Sequence, residues 1–175
     1  MRTTRRLYFG LWVSLGAALV HLAGLAALPY LVMGRFILAQ SSSAGENVFV
    51  HYELPTAAWR ERVRPCPDLA YSSAVFDVSE GPLHVVVPMT APYTSLAGYA
   101  RNTDTFFAVN DRTGGGPVVE LVLVGPSTPR NGLEGLRVVE SPTDAGVLLV
   151  RRVVPSGPAF ASIDDARRRA RVEFR

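Results

Sequence analysis

Between positions 51 and 72 the chain holds the three side-chain types that nucleophilic catalysis needs. His51 could serve as a base, Asp68 as the acid that orients it and Ser72 as the nucleophile, with Ser73, Ser95 or Tyr71 as substitutes. The local signatures of such a site are missing. No GxSxG elbow surrounds a serine, no glycine-rich oxyanion loop precedes one, and Ser72 follows Tyr71 on an apparent strand where an outward-facing hydroxyl is expected.

A metal reading would join His51 and His84 to Asp68, Asp77 or Asp104, but no characteristic ligand spacing relates them. The single cysteine, Cys66, forms no CxxC pair and reads as a small, partly buried apolar residue. Gly114 to Gly116 resembles a phosphate cradle only in being glycine-rich, because neither GK[ST] nor GxGxxG follows and no helix starts there. Neither a metal nor a cofactor is expected.

More distinctive are PCPDLAYS (Pro65 to Ser72) and RNTDTFFAVND (Arg101 to Asp111), which place Asp, Asn, Tyr and Phe at the entries of candidate strands. If those strand ends meet, His51, Asp68, Tyr71, Asn102 and Asp104 would line a polar pocket with aromatic walls, the candidate ligand-binding set. The competing reading makes Asp and Asn turn caps and leaves Tyr71, Phe106 and Phe107 to fill a core.

The elements that would position these groups are short β-prone runs separated by Pro and Gly. Strands are expected over Asn47 to Leu54, Ala70 to Val78, Leu83 to Val87, Tyr93 to Tyr99, Thr105 to Asn110, Val118 to Val124, Leu136 to Glu140 and Val147 to Val154. SEGP, NDRTGGGP and GPSTPRNG carry the residues that turns require. The last segment, Ser162 to Phe174, has a capping-box form with Ser162 as N-cap and Asp165 at the N3 position. Its stripe Ile163, Ala166, Ala170 and Phe174 would dock on the sheet and leave Arg167, Arg168 and Arg171 mostly solvated. The fold class expected is therefore mainly β, an antiparallel sandwich or partly open barrel with one C-terminal helix. About 130 residues can bury roughly two-thirds of their unfolded surface, enough to fold without a metal or a disulfide.

A single transmembrane helix is expected ahead of this domain. Leu7 to Met33 contains no charged residue and exceeds the roughly 20 residues that cross a bilayer. It also exceeds the apolar core of a cleaved signal peptide, about 7 to 15 residues, so it reads as an uncleaved signal anchor. Arg2, Arg5 and Arg6 precede it and only Arg35 follows closely, which places residues 1–6 in the cytoplasm and the domain outside a bacterial inner membrane. Residues 34–45, ending Ser-rich, read as a short flexible linker to a domain over 46–175. Gly10, Ser14, Ala17, His21 and Gly24 share one face of the span, a surface for a partner helix. The alternative is that small residues are common in membrane helices and that His21 bonds locally.

All 18 basic residues are Arg, and the four before Gly45 account for the excess. From Glu46 onward 14 Arg face 15 acids, so the pI of about 9.4 reports the N-terminus and no nucleic-acid-binding face is expected.

The ordered series NVFVHYELP, RPCPDLAYSSAVFDVSEGPLHVVVP, YTSLAGYARNTDTFFAVNDR and SPTDAGVLLVRR resembles the bacterial family called domain of unknown function 1254. The family's usual P-N-P-D pattern stands here as Pro65, Cys66, Pro67 and Asp68. The resemblance implies an all-β domain, often encoded beside or fused to a second one, number 1214. It implies no reaction. The expectation is an envelope protein without enzymatic activity that works with another membrane protein, one carrying domain 1214 being the first candidate. The rival is a small-molecule-binding or hydrolytic domain built on the polar pocket.

Overall fold

The computed structural model describes residues 2–56, 65–154 and 160–175. Helix α1 (Arg2–Ala44) leads into two packed sheets. The first contains, in spatial order, β1 (Val48–His51), β2 (Leu69–Asp77), β8 (Ala145–Val153), β4 (Thr94–Ala100) and β5 (Thr105–Asn110). The second contains β7 (Val138–Glu140), β6 (Val118–Val124), β3 (Leu83–Pro88) and β9 (Arg171–Phe174), and β7 alone pairs in parallel. Helix α2 (Phe160–Arg168) lies between β8 and β9 in the chain. This is the expected mainly β architecture in its sandwich form, not a closed barrel.

Period-2 burial builds the core. Phe49, Ala74, Phe76, Leu148, Val150 and Leu96 face inward from the first sheet, and Leu83, Val85, Val87, Val119, Leu121 and Leu123 meet them from the second. Gly98 exists to admit an aromatic ring, since a Cβ there would overlap the Phe107 side chain. Phe106 and Phe107 pack against the core and against each other, which favours the core-filling reading of that segment.

All eight expected strands form, and the end of the chain departs from expectation. The helix already includes Phe160 and Ala161, so Ser162 lies inside it and is not its cap. It stops at Arg168, and Arg171–Phe174 becomes β9, pairing antiparallel with β3 in the register Val85↔Val172. Ladder bonds to the open edge of β3 outweigh a local helix preference worth only tenths of a kcal/mol per residue. Val172 packs on the core, whereas Phe174 is exposed. Arg167 is the second correction: it is 5% exposed, not solvated, because it lies four residues after buried Ile163 on the inner face of α2.

The segment read as a flexible linker is helical through Ala44. Ser42 and Ser43 donate back to the carbonyls of Leu38 and Gln40, which lets hydroxyl-rich sequence stay in a helix. Gly45, at φ 85°, then ends it in the left-handed conformation that glycine adopts without strain. Asn47 clamps the next step: its side chain accepts from the Asp77 amide and donates to the Asp77 carbonyl, fixing β1 on β2.

Candidate functional site

The five residues of the expected pocket do not share one place. β2 and β4 both run antiparallel to β8 and therefore run the same way. Asn102 and Asp104 belong to the hairpin after β4, at the Asp77 end of the sheet, and bond to each other at 2.6 Å as a turn. His51 pairs with Ser72 near the opposite end. Asp68 and Tyr71 share that second end but not the inner face: Asp68 is exposed, and outward-facing Tyr71 accepts a hydrogen bond from the Cys66 amide. His84 pairs with Glu120 at 2.7 Å beside an open groove of about 520 Å³ that Arg137 and Arg175 also line. Among the described residues no three His, Cys, Asp or Glu side chains gather as a metal site.

What the structure does assemble is a polar cluster at the His51 end, between the sheets. His51 and Ser72 are in phase with Phe49 and Ala74, so both point inward, and Nδ1 of His51 lies 2.8 Å from Oγ of Ser72. Ser72 is fully buried, against the outward hydroxyl its sequence suggested. The next inward row contains Ala70, Arg152 and Thr94, paired across β2, β8 and β4. Arg152 is in phase with Leu148 and Val150 and is completely buried. Its Nη2 donates to the Pro88 carbonyl at 3.1 Å, while Nε and Nη1 have no partner among the described residues. Among the described residues no carboxylate pairs with it.

Helix α2 closes over the same end. Arg167 donates through Nη1 to the Tyr52 carbonyl, one residue beyond His51, and through Nη2 to Asp164, leaving Nε buried and unpartnered. The guanidinium groups of Arg167, Arg152 and, more weakly, Arg168 thus press positive potential on one imidazole. Burial first, and then Arg167, Arg152 and Arg168, lower the His51 pKa from 6.5 to about 4 against a smaller opposing pull from Asp164. Burial and then Arg167 lower Arg152 to about 10. A buried donor without an acceptor costs about 1–3 kcal/mol, more when charged, so this end stores unfavourable free energy.

Residue-type reasoning passed over Arg152 and Arg167. Their phases were the available signal: Arg152 continues the inward alternation of Leu148 and Val150, and Arg167 follows Ile163 by one helical turn.

Residues 46–173 match the family described as Protein of unknown function (DUF1254). The chain belongs to the DUF1254 family. This DUF1254 fold is similar to the crystal structure of the VPA0106 protein from Vibrio parahaemolyticus, with TM-score 0.64 and 16% identity over 89% of this chain and 38% of that one. An uncharacterised protein from Burkholderia cenocepacia aligns at TM-score 0.48 and 18% identity over 82% of this chain and 40% of that one. The chain thus spans about two-fifths of the length of these solved chains. No protein of curated function matches its sequence.

Proposed function

We propose that this DUF1254 protein is a single-pass membrane protein that presents its sandwich outside a bacterial inner membrane and works with another membrane protein, without catalysing a reaction itself. The observation that carries the reading is α1. Thr4–Ala44 is long and apolar enough to cross a membrane, and the domain covers none of its most apolar window. Leu7, Phe9, Leu11, Trp12, Leu15, Leu19, Val20 and Leu25 are all exposed, a ribbon that water tolerates poorly and lipid tails accept.

The C-terminal end of α1 fastens the domain to this helix. Gln40, 6% exposed, donates to the Ser73 carbonyl and accepts from the hydroxyls of Ser73 and Tyr52. A domain held by a helix and three hydrogen bonds keeps a defined height and orientation above the bilayer. Gly10, Ser14, Ala17, His21 and Gly24 remain exposed, and nothing lies within 4 Å of a Cβ built on Gly10 or Gly24, so a second helix backbone has room to approach. Arg2, Arg5 and Arg6 before the span support the orientation.

The test is gentle detergent extraction of the tagged full-length protein and identification of co-purifying chains, beside a full-length variant carrying Gly10→Leu and Gly24→Leu. A stoichiometric membrane partner, such as one bearing domain 1214, that is lost with the variant supports the reading. Recovery of the protein alone from both contradicts it.

A further inference from the structure

We propose that the His51 end of the sandwich is a binding site for a phosphate-class oxyanion, held by the guanidinium groups of Arg152 and Arg167 with His51 and Ser72 beside it. Three buried N–H positions, Nε and Nη1 of Arg152 and Nε of Arg167, lack an acceptor. The two side chains carrying them are fully buried and 5% exposed. They belong to different elements, β8 and α2, that converge on the imidazole on β1. A planar guanidinium is the side chain best shaped to grip two oxygens of a tetrahedral anion; the anion would compensate Arg152, while Arg167, already paired with Asp164, would offer its free Nε–H. Ser72 supplies a hydroxyl that can donate, and His51 becomes a further donor once an anion raises its proton affinity.

The alternative role for such arginines is structural; it accounts for most of Arg167's contacts and for little of Arg152's. Arg167 has Asp164 and the Tyr52 carbonyl, yet one donor stays unused. Among the described residues Arg152 has a single carbonyl for a fully buried cation. Buried charges are ordinarily paired, and among the described residues no carboxylate pairs with Arg152, the position an external anion would fill.

The fold also indicates where the anion comes from. Moving back along the chain from Asn47 into α1 at Gln40 passes from Asp77 to Ser73 along β2. The helix therefore leaves the domain beyond Leu69, at the same end as His51 and Arg152. On the membrane reading above, this end faces the bilayer, and the phosphate of an anionic lipid headgroup lies in its path. Free phosphate satisfies the same donors, and the site does not depend on the membrane reading.

The experiment is a phosphate titration of the full-length protein in detergent, followed by thermal unfolding and by the His51 ring resonances, with chloride at matched ionic strength as control. Saturable stabilisation is expected, with Tm raised by about 5 °C at roughly ten times Kd, together with a higher His51 pKa; chloride gives neither. Arg152→Gln weakens binding at least about tenfold. Should that variant fail to fold, Arg152→Lys, which keeps charge but loses the fork, and the wild-type His51 titration still decide. The titration is then repeated in nanodiscs of phosphatidylglycerol or of phosphatidylcholine alone. A phosphate response abolished only by phosphatidylglycerol identifies the headgroup as occupant, and one that persists in both identifies free phosphate. No saturable response in detergent and no preference between the lipids, or an equal response to chloride, overturns the site.

Discussion

Ser72 and Ser73 are neighbours on β2, both buried, and they face opposite ways into two polar clusters of contrasting character. On the outer face Ser73 joins Gln40 and Tyr52, and none of the three has a buried side-chain atom without a partner. On the inner face Ser72 joins His51, beside two arginines with three unpartnered donors. The first arrangement fastens α1 to the sheet and is complete. The second lacks an acceptor. Hydrogen-bond satisfaction, more than residue type, separates a structural polar cluster from one that awaits a ligand.

Substitutions should separate the clusters by sign as well as size. Gln40→Ala leaves the hydroxyls of Ser73 and Tyr52 without their shared acceptor, and the domain should lose about 2–4 kcal/mol in denaturant melts, with or without phosphate. The pH response comes next. His51 binds a proton near 6.5 when unfolded and near 4 when folded, so stability is full above about pH 6.5 and falls as pH drops toward 4, because only the unfolded state gains the proton. Because His51 is only half-buried, solvent screening reduces the full linkage value, and the loss should reach roughly 2 kcal/mol and level off below about pH 4. His51→Gln should flatten that window. Asp164, whose pKa is lowered chiefly by its hydrogen bond to Arg168, contributes stability that is lost only below the ordinary carboxylate range, so the two effects are distinguishable.

Arg152→Met should move the other way. Replacing an unpaired buried cation by an apolar side chain of similar reach should stabilise the phosphate-free protein by about 1–2 kcal/mol while removing the phosphate response. Equal destabilisation by Arg152→Met and Gln40→Ala would erase the distinction between the clusters. Ser72→Ala should have the smallest effect, a loss of about 1 kcal/mol or less from one hydrogen bond.

The strands were legible because turn residues punctuate them and their bulky apolar residues recur with period two. Which serine faces inward was not: Ala70, Ser72, Ala74 and Phe76 alternate with Tyr71, Ser73, Val75 and Asp77, and both sets mix polar with apolar because α1 covers the outer face of a strand already buried on its inner one. The candidate pocket failed for a topological reason. Asn102 and Asp104 follow a strand whose direction only the sheet order reveals, and that order puts them at the far end from His51. The strand β9 was hidden by a helix signal that ends at Arg168 and by an edge on β3 that exists only in three dimensions.

The most direct test is the His51 titration by NMR in the full-length protein, without phosphate and then with saturating phosphate. Burial of the imidazole, and then the arginines that crowd it from β8 and α2, predict an apparent pKa near 4 that rises when phosphate binds. A value near 6.5 that phosphate leaves unchanged would mean that the two arginines neither face His51 nor await an anion, and would contradict the account.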